Sequence, residues 1–190
     1  MSLHIYIGPM FSGKTNIILT HSRISKVIKE KYVIIKPNID NRYTKDSYIV
    51  SHNMMKEQCI MVNDLKNIMN NNIIKTVKKI YIDEAQFLKN LKEFVINCID
   101  NLNKDVIIVG LDGDFKRQPM GEILSLIPYA DYIEKLKAKC LLCSDGTDAI
   151  FTCKKVKDNK TIDVGSSEKY ISLCRKHYIN SNIINQERTL

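Results

Sequence analysis

One segment of the sequence has residue types and a spacing suited to binding phosphate. Residues 8–15 read GPMFSGKT and match the pattern GxxxxGK[ST] in full. In such a loop the glycines allow close backbone approach to oxygen atoms, and the amides form an anion cradle with a helix N-terminus. Lys14 would reach the β- and γ-phosphates of a nucleoside triphosphate, and the Thr15 hydroxyl would ligate Mg²⁺. The predicted site consists of Gly8, Pro9, Met10, Phe11, Ser12, Gly13, Lys14 and Thr15.

Two adjacent carboxylates follow an apolar segment at residues 80–84 (IYIDE). In phosphate-loop folds, an Asp at the end of a neighbouring strand faces Mg²⁺. We therefore predict that Asp83 supports the metal and that Glu84 faces the incoming nucleophile as a general base. The letters DEAQ at residues 83–86 also match a helicase-type box, in which the Glu activates water. A chain of 190 residues is too short for the second motor domain of such a helicase.

Two pairs of metal-type ligands occur late in the chain. They are Cys140, Cys143, Cys174 and His177, spaced as CxxC and CxxH. This set is typical of a tetrahedral Cys₃His zinc site. Each doubling of the length of the loop between the pairs adds only roughly 0.6 kcal/mol to the entropic cost of closing it. Zinc could therefore fix the two ends of a long functional loop. Cys153 lies inside that loop and is a possible competing ligand.

Strand-like and helix-like segments alternate over most of the chain and must position these residues. The predicted strands are residues 3–7, 32–36, 79–83 and 105–111, and the predicted helices are residues 14–29, 64–69, 90–102 and 119–127. This alternation indicates an α/β fold of the P-loop NTPase type, with a parallel sheet and helices on both faces. We predict a nucleotide-binding domain at residues 1–138, a small second domain held together by zinc at residues 139–180 and a flexible tail at residues 181–190.

Composition excludes several classes of protein. An apolar fraction of 44% supports one core, and 26% charged residues without long one-sign blocks do not indicate a disordered chain. The apolar runs fall far short of the ~20 residues that a membrane span needs. We see no secretory segment and expect an intracellular protein. The net charge of +8 fits either nucleic acid or small anionic substrates.

Three alternative functions follow from the same residues. An NTP-driven nucleic-acid binder would use the positive charge and the DEAQ box. A GTPase is disfavoured because residues 103–105 (NKD) lack the NKxD spacing that reads guanine. A purely structural zinc module is disfavoured by the intact phosphate loop.

Five motifs in order resemble one family. They are residues 8–15 (GPMFSGKT), 40–43 (DNRY), 83–87 (DEAQF), 111–115 (LDGDF) and the two late ligand pairs. Together they resemble the zinc-containing cellular/poxviral-type (type II) thymidine kinases over about residues 3–178. The resemblance implies ATP-dependent phosphorylation of the thymidine 5′-hydroxyl to dTMP, and of deoxyuridine, in deoxynucleotide salvage for DNA synthesis. It also implies ATP, Mg²⁺ and structural Zn²⁺ as cofactors, a cytoplasmic homotetramer, feedback inhibition by dTTP, and no nucleic-acid or membrane partner.

The resemblance also implies roles for individual residues. Arg42 would contact phosphate, and Asp40 would lie near the metal. The walls of the thymine pocket would be Met10, Phe87, Leu111 and Phe115. A lasso at about residues 151–170 would cover the nucleoside, with contacts from Thr152, Val164, Gly165 and Tyr170.

Overall fold

The structure, a computed structural model, describes residues 1–38, 48–50, 56–155 and 169–187. The strands in these ranges are β1 (Ser2–Ile7), β2 (Tyr32–Lys36), β3 (Tyr48–Val50), β4 (Lys56–Gln58), β5 (Ile60–Met61), β6 (Lys79–Ile82), β7 (Asp105–Gly110), β8 (Tyr132–Lys135), β9 (Ala138–Lys139), β10 (Asp148–Ala149), β11 (Phe151–Lys154) and β12 (Tyr170–Leu173). The α-helices are α1 (Lys14–Val27), α2 (Asn72–Thr76), α3 (Leu91–Ile96) and α4 (Arg175–Glu187). Short 3₁₀ segments occur at Leu65–Asn67, Ala85–Phe87 and Ile123–Tyr129, and a π turn at Asn97–Asn101.

Six strands form the main sheet in the order β5-β2-β6-β7-β1-β8. Every neighbouring pair in this sheet is parallel. The predicted α/β fold with a parallel sheet is therefore confirmed. Because parallel strands end at the same edge, the residues that follow β1, β6 and β7 lie close together, as the proposed site requires.

Both faces of the sheet are covered by apolar side chains. Tyr81 of β6 and Ile107 of β7 pack on one face with Ile18 of α1. Their strand neighbours, including Ile80, point to the opposite face and pack with Phe94 of α3. Strands that are buried on both faces read as nearly continuous apolar runs, which is why β6 and β7 were predictable from the sequence.

A smaller unit follows β8. It consists of two antiparallel pairs, β9–β10 and β11–β12, together with α4. Its own core is Ala138, Cys140, Ala149, Cys153, Leu173, Cys174 and Tyr178. Helix α4 continues to Glu187, so the backbone at residues 181–187, which was assigned above to a flexible tail, is helical. The proposed domain boundaries stay predictions.

The helix predicted from Pro119 is wrong. The segment instead forms a 3₁₀ helix at Ile123–Tyr129, after a turn in which Gly121 has φ 58°. A Cβ on Gly121 would lie 2.2 Å from the Gln86 carbonyl oxygen. The left-handed backbone and this close approach to the chain after β6 prevent a helix from starting at Pro119.

The edge strands β5 and β8 and the β3–β4 hairpin were not predicted. They are two to four residues long, too short for a clear apolar pattern. Within the described residues, we find no helix that combines the length and apolar character needed to cross a membrane.

Candidate active site

The phosphate loop connects β1 to α1 through residues in unusual backbone conformations. Gly13, directly before α1, has φ 82°, and Phe11 has φ 65°. A Cβ on Gly8 would lie 2.6 Å from the carbonyl oxygen of Leu136, which follows β8. Glycine at position 8 therefore lets the loop turn tightly over the end of the sheet, and glycine at position 13 accommodates the left-handed turn into the helix.

Lys14 is folded against the loop that precedes it. Its Nζ donates to the carbonyl oxygens of Pro9 at 2.6 Å and Gly8 at 3.2 Å, and to Ser12 Oγ at 3.3 Å. Burial lowers the pKa of Lys14, and the nearby carboxylates, Glu84 foremost, oppose this shift. The ammonium group thus lies inside the loop, where it can meet the phosphates that the loop amides attract.

Thr15 and Asp83 present two oxygens side by side. Thr15 Oγ1 donates to Asp83 Oδ2 over 3.1 Å, and the backbone N–H of Glu84 donates to Asp83 Oδ1 over 2.9 Å. Burial, reinforced by the charge of Glu84, raises the pKa of Asp83 to about 7. A bound cation would relieve this penalty, and hydroxyl and carboxylate oxygens are the ligands that Mg²⁺ prefers. The donor set fits a magnesium site.

Glu84 has a strained backbone. Its φ of 49° and ψ of 40° are left-handed, which is rare for residues other than glycine, asparagine and aspartate. Such conformations persist where the surrounding structure enforces them, often at functional sites. The turn directs the chain out of β6 directly after Asp83, so that the two carboxylates take different environments.

Gln86 is a site residue that the sequence did not reveal. Its Nε2 donates to Glu84 Oε2 over 2.6 Å, and its Oε1 accepts from the backbone N–H of Leu111 over 2.9 Å. The side chain is buried, and a Cβ on Gly110 would lie 2.6 Å from Gln86 Oε1. One amide thus joins the Glu84 carboxylate to the chain after β7. Gln86 is part of the DEAQ letters, but a sequence pattern does not indicate which groups a side-chain amide contacts.

The β11–β12 hairpin contacts the phosphate loop directly. The backbone N–H of Met10 donates to Thr152 Oγ1 over 2.9 Å, and Ser172 Oγ donates to the Met10 carbonyl over 2.6 Å. The structure therefore brings together Met10 and Thr152, two residues predicted to contact the nucleoside. Ser172 was not predicted, since an isolated serine in a short strand carries no signal.

The remaining predicted pocket residues either follow β6 and β7 along the chain or lie in the smaller unit. Phe87 is half-buried in the 3₁₀ turn after Glu84, and Leu111 is buried directly after β7. The Phe115 carbonyl accepts from the Tyr178 hydroxyl over 2.7 Å, which ties its loop to α4. Tyr170 is buried at the start of β12. The predicted residues outside the described ranges are Asp40, Arg42, Val164 and Gly165.

The four predicted metal ligands come together in the smaller unit. The ligand atoms of Cys140, Cys143, Cys174 and His177 all lie within 4.8 Å of one another. Cys143 Sγ and Cys174 Sγ are 3.8 Å apart, and His177 Nδ1 lies 3.3–3.5 Å from the three sulfurs.

These distances can be compared with a tetrahedron. With Zn–S bonds of about 2.3 Å and Zn–N bonds of about 2.0–2.1 Å, the edges are about 3.8 Å between sulfurs and about 3.5 Å between sulfur and nitrogen. The arrangement therefore fits a tetrahedral metal ion held through His177 Nδ1. Cys153 is not in this group, and its Sγ lies 3.7 Å from Ser181 Oγ.

Comparisons with known proteins agree on one family. A family model described as thymidine kinase matches residues 1–178. A thymidine kinase of Oryza sativa subsp. japonica is 37% identical over 186 residues, covering 96% of this chain and 68% of that protein. A thymidine kinase of Choristoneura fumiferana entomopoxvirus is 36% identical over 194 residues, covering 97% of this chain and 100% of that protein.

A solved structure also aligns with the chain. It is a crystal structure of a DNA replication initiation factor, with a TM-score of 0.40 and 12% identity over 71% of this chain and 40% of that one. This likeness is too low to bear on fold or function. The family match covers nearly the whole chain, and the entomopoxvirus relative matches over its full length. The chain belongs to the thymidine kinase family.

Proposed function

We propose that this protein transfers the γ-phosphoryl group of ATP to the 5′-hydroxyl of thymidine and so forms dTMP. The observation that carries the proposal is the hydrogen-bonded pair of Thr15 and Asp83 beside Glu84, under a complete phosphate loop. Membership of the thymidine kinase family supports thymidine as the acceptor. Deoxynucleotide salvage for DNA synthesis is the role that such a reaction serves.

Binding of ATP is the task of the phosphate loop. Its amides and the N-terminus of α1 cradle the phosphate oxygens, and Lys14 gives up its carbonyl partners to pair with them. Thr15 and Asp83 hold Mg²⁺, which neutralises negative charge on the phosphates when it is bound. Asp40 and Arg42 are further residues on this side, and the family resemblance is their support.

The chemical step requires mostly positioning and charge neutralisation. Glu84 accepts the proton of the 5′-hydroxyl while the oxygen forms its bond to the γ-phosphorus. The bond between that phosphorus and the β–γ bridging oxygen breaks, and ADP leaves with the electron pair. Gln86 holds the Glu84 carboxylate in place through the 2.6 Å hydrogen bond from its amide.

The nucleoside lies between the sheet edge and the hairpin. Phe87, Leu111 and Phe115 supply apolar surface for the thymine ring, next to Met10. By the family resemblance, the lasso residues that contact the ring are Thr152 and Tyr170, together with Val164 and Gly165, which lie outside the described residues. An apolar wall tolerates the loss of one methyl group at a modest cost, so deoxyuridine is a second substrate.

Zinc is the metal that we assign to the Cys₃His group. The sulfur and nitrogen donors and the tetrahedral distances support it. The four ligands leave no open position, so the ion is structural and ties β9 and α4 together at the base of the lasso. Elemental analysis of the purified protein, before any chelator is added, should find one zinc per chain, and zinc-free protein whose smaller unit stays fully folded would refute the assignment.

The assembly that we propose is a homotetramer. Ile24, Val27 and Ile28 at the end of α1 are 48%, 80% and 54% exposed and offer an apolar face for a second copy. Within the described strands, β8 pairs on one side only and lies at the sheet edge. Light scattering should give four times the chain mass, and Val27→Glu should lower it.

We expect dTTP to inhibit the enzyme. It carries a thymidine group and a triphosphate in one molecule, so it can occupy both the nucleoside pocket and the phosphate loop. Action in the cytoplasm is supported by the six unpaired cysteines, because a reducing compartment keeps thiols free, including the three of the Cys₃His group. Inhibition assays and cell fractionation test these two points.

The decisive test of specificity is a kinetic assay of a panel of nucleosides with ATP·Mg²⁺, in which the release of ADP is measured. Thymidine should give the highest kcat/KM, deoxyuridine a lower one, and purine nucleosides far less. Single-stranded DNA in the assay should have no effect. ADP release that does not depend on nucleoside and rises with DNA would overturn the proposal in favour of a nucleic-acid-driven NTPase.

A further inference from the structure

Two hydroxyl side chains of the β11–β12 pair form hydrogen bonds with both backbone polar groups of one residue of the phosphate loop. Thr152 Oγ1 accepts the backbone N–H of Met10 at 2.9 Å, and Ser172 Oγ donates to the Met10 carbonyl at 2.6 Å. Thr152 and Ser172 are direct partners in the antiparallel register. A single cross-strand pair therefore fixes both backbone polar groups of a single residue.

Both hydroxyl-bearing side chains are largely shielded from water. Thr152 is 6% exposed and Ser172 is 4% exposed, while Met10 is partly buried. A partly buried carbonyl that loses its donor keeps part of the cost of desolvation without compensation, so this contact resists loosening. The hydroxyl of Ser172 has one hydrogen, and the Met10 carbonyl receives it.

Peptide geometry carries the effect into the phosphate loop. The Met10 carbonyl and the Phe11 N–H belong to the same planar trans peptide and point in opposite directions. Ser172 therefore fixes the direction of the Phe11 amide, in a residue that already has φ 65°. Loop amides of this kind are the groups that cradle phosphate oxygens.

The same two strands lead into and out of the lasso. Thr152 lies on β11 and Tyr170 on β12, and both belong to the nucleoside side of the proposed site. We propose that Ser172 is a positioning residue of the phosphate loop, which acts through Met10 and couples ATP binding to the nucleoside hairpin. This inference rests on the proposed kinase function for the identity of the two ligands.

Ser172→Ala tests the inference against a matched control. Ser22 is also fully buried, and its Oγ donates to a backbone carbonyl, that of Leu19, at 3.0 Å in α1. Both variants lose one buried hydroxyl, so we expect similar decreases in unfolding temperature. Only Ser172→Ala should weaken ATP·Mg²⁺ binding, measured by calorimetry, by about tenfold, which is the loss of roughly one well-placed hydrogen bond.

Kinetics separate positioning from general destabilisation. Well below the unfolding temperature, Ser172→Ala should raise the KM for ATP and lower kcat, while Ser22→Ala stays within twofold of the wild type. Ser172→Cys keeps the side-chain volume and a weak donor, and it should recover part of the loss. If Ser172→Ala does not fold, Ser172→Cys still allows the comparison with Ser22→Ala.

A double-mutant cycle tests whether the two hydroxyls act on the same residue. Thr152→Val removes the acceptor for the Met10 N–H with little change in volume. Since both contacts hold one residue, Thr152→Val combined with Ser172→Ala should weaken ATP binding by less than the product of the single effects. Fully multiplicative effects would contradict a shared clamp.

Two further outcomes would overturn the inference. One is ATP affinity of Ser172→Ala within twofold of Ser22→Ala. The other is a loss confined to thymidine affinity, which would make the pair only a wall of the nucleoside pocket. ATP binding is measured without turnover, so a wild-type protein that binds ATP but phosphorylates no nucleoside would refute the proposed function and leave this test valid.

Discussion

The phosphate-loop edge and the Cys₃His unit are built by different means. The phosphate-loop edge lies at the end of a six-stranded parallel sheet with buried apolar residues on both faces. The Cys₃His unit has two-stranded pairs, one helix and a core of seven buried residues. Two of those seven, Cys140 and Cys174, belong to the candidate Cys₃His metal site.

The two regions obtain their stability from different sources. Burial of apolar surface preforms the sheet edge, so strained elements such as the left-handed Glu84 can be held there. The smaller unit has too little core for this and needs a cross-link, which a metal can supply. We therefore propose that the chemical step takes place at the sheet edge and that the Cys₃His unit positions the nucleoside.

The largest effect is expected at Glu84. Glu84→Gln removes the general base without removing the hydrogen-bond acceptor, and kcat should fall at least ~100-fold. ATP affinity and zinc content should stay as in the wild type, because the substitution alters neither the phosphate loop nor the Cys₃His group. A fall in kcat of less than tenfold, with binding intact, would contradict the assignment of the base.

Removal of the metal should separate the two regions. A chelator strong enough to strip zinc should melt the smaller unit and leave the sheet folded. If loss of the metal favours the unfolded form of the smaller unit by ~1.4 kcal/mol or more, thymidine affinity should fall at least ~10-fold, because only the folded form binds. Hydrogen exchange should show fast amides at residues 139–155 and 169–180 and protected amides in β1, β6 and β7. Equal protection of both regions after metal loss would contradict the view that only the smaller unit depends on the metal.

Gln86 tests how the sheet edge holds its base. Gln86→Leu has a similar volume but leaves the buried N–H of Leu111 unpaired and releases the Glu84 carboxylate. We expect kcat to fall about tenfold and stability to fall by ~1–3 kcal/mol. Steady-state kinetics and urea unfolding measure both. An unchanged kcat with reduced stability would make Gln86 structural only.

The smallest change in stability is expected at the magnesium site. Burial makes the ionised Asp83 unfavourable in protein without ligands, since it raises the pKa of that carboxyl. Asp83→Asn should therefore raise the unfolding temperature at pH 8, without nucleotide or Mg²⁺, by about 2–4 °C while activity is lost. A lower unfolding temperature would show that the carboxylate stabilises the fold instead.

Much of the fold was predictable because β1, β2, β6 and β7 are apolar runs bounded by turns. The ligand spacing of the Cys₃His group was equally informative, since tetrahedral coordination restricts residue types and distances. The sequence did not reveal the edge strands, which are short and partly exposed. The prediction of a helix from Pro119 was wrong because the approach of Gly121 to Gln86 is a tertiary contact, which the local sequence does not indicate.

The site was predictable where chemistry constrains residue types along the chain. Lys14, Thr15, Asp83 and Glu84 lie in two short motifs, and the parallel sheet brings these motifs together. Ser172 lies far along the chain from Met10, and its role depends on the register of β11 and β12. Such a contact leaves no local pattern, so only the folded structure reveals it.

If the sheet edge moves a phosphoryl group onto a nucleoside hydroxyl, the reaction must yield a nucleoside monophosphate. Phosphorus NMR of a reaction with ATP·Mg²⁺, thymidine and single-stranded DNA detects this product. We expect a new phosphomonoester signal coupled to the 5′-methylene protons, in amounts equal to the ADP formed. Inorganic phosphate as the sole product, formed faster when DNA is present, would contradict it.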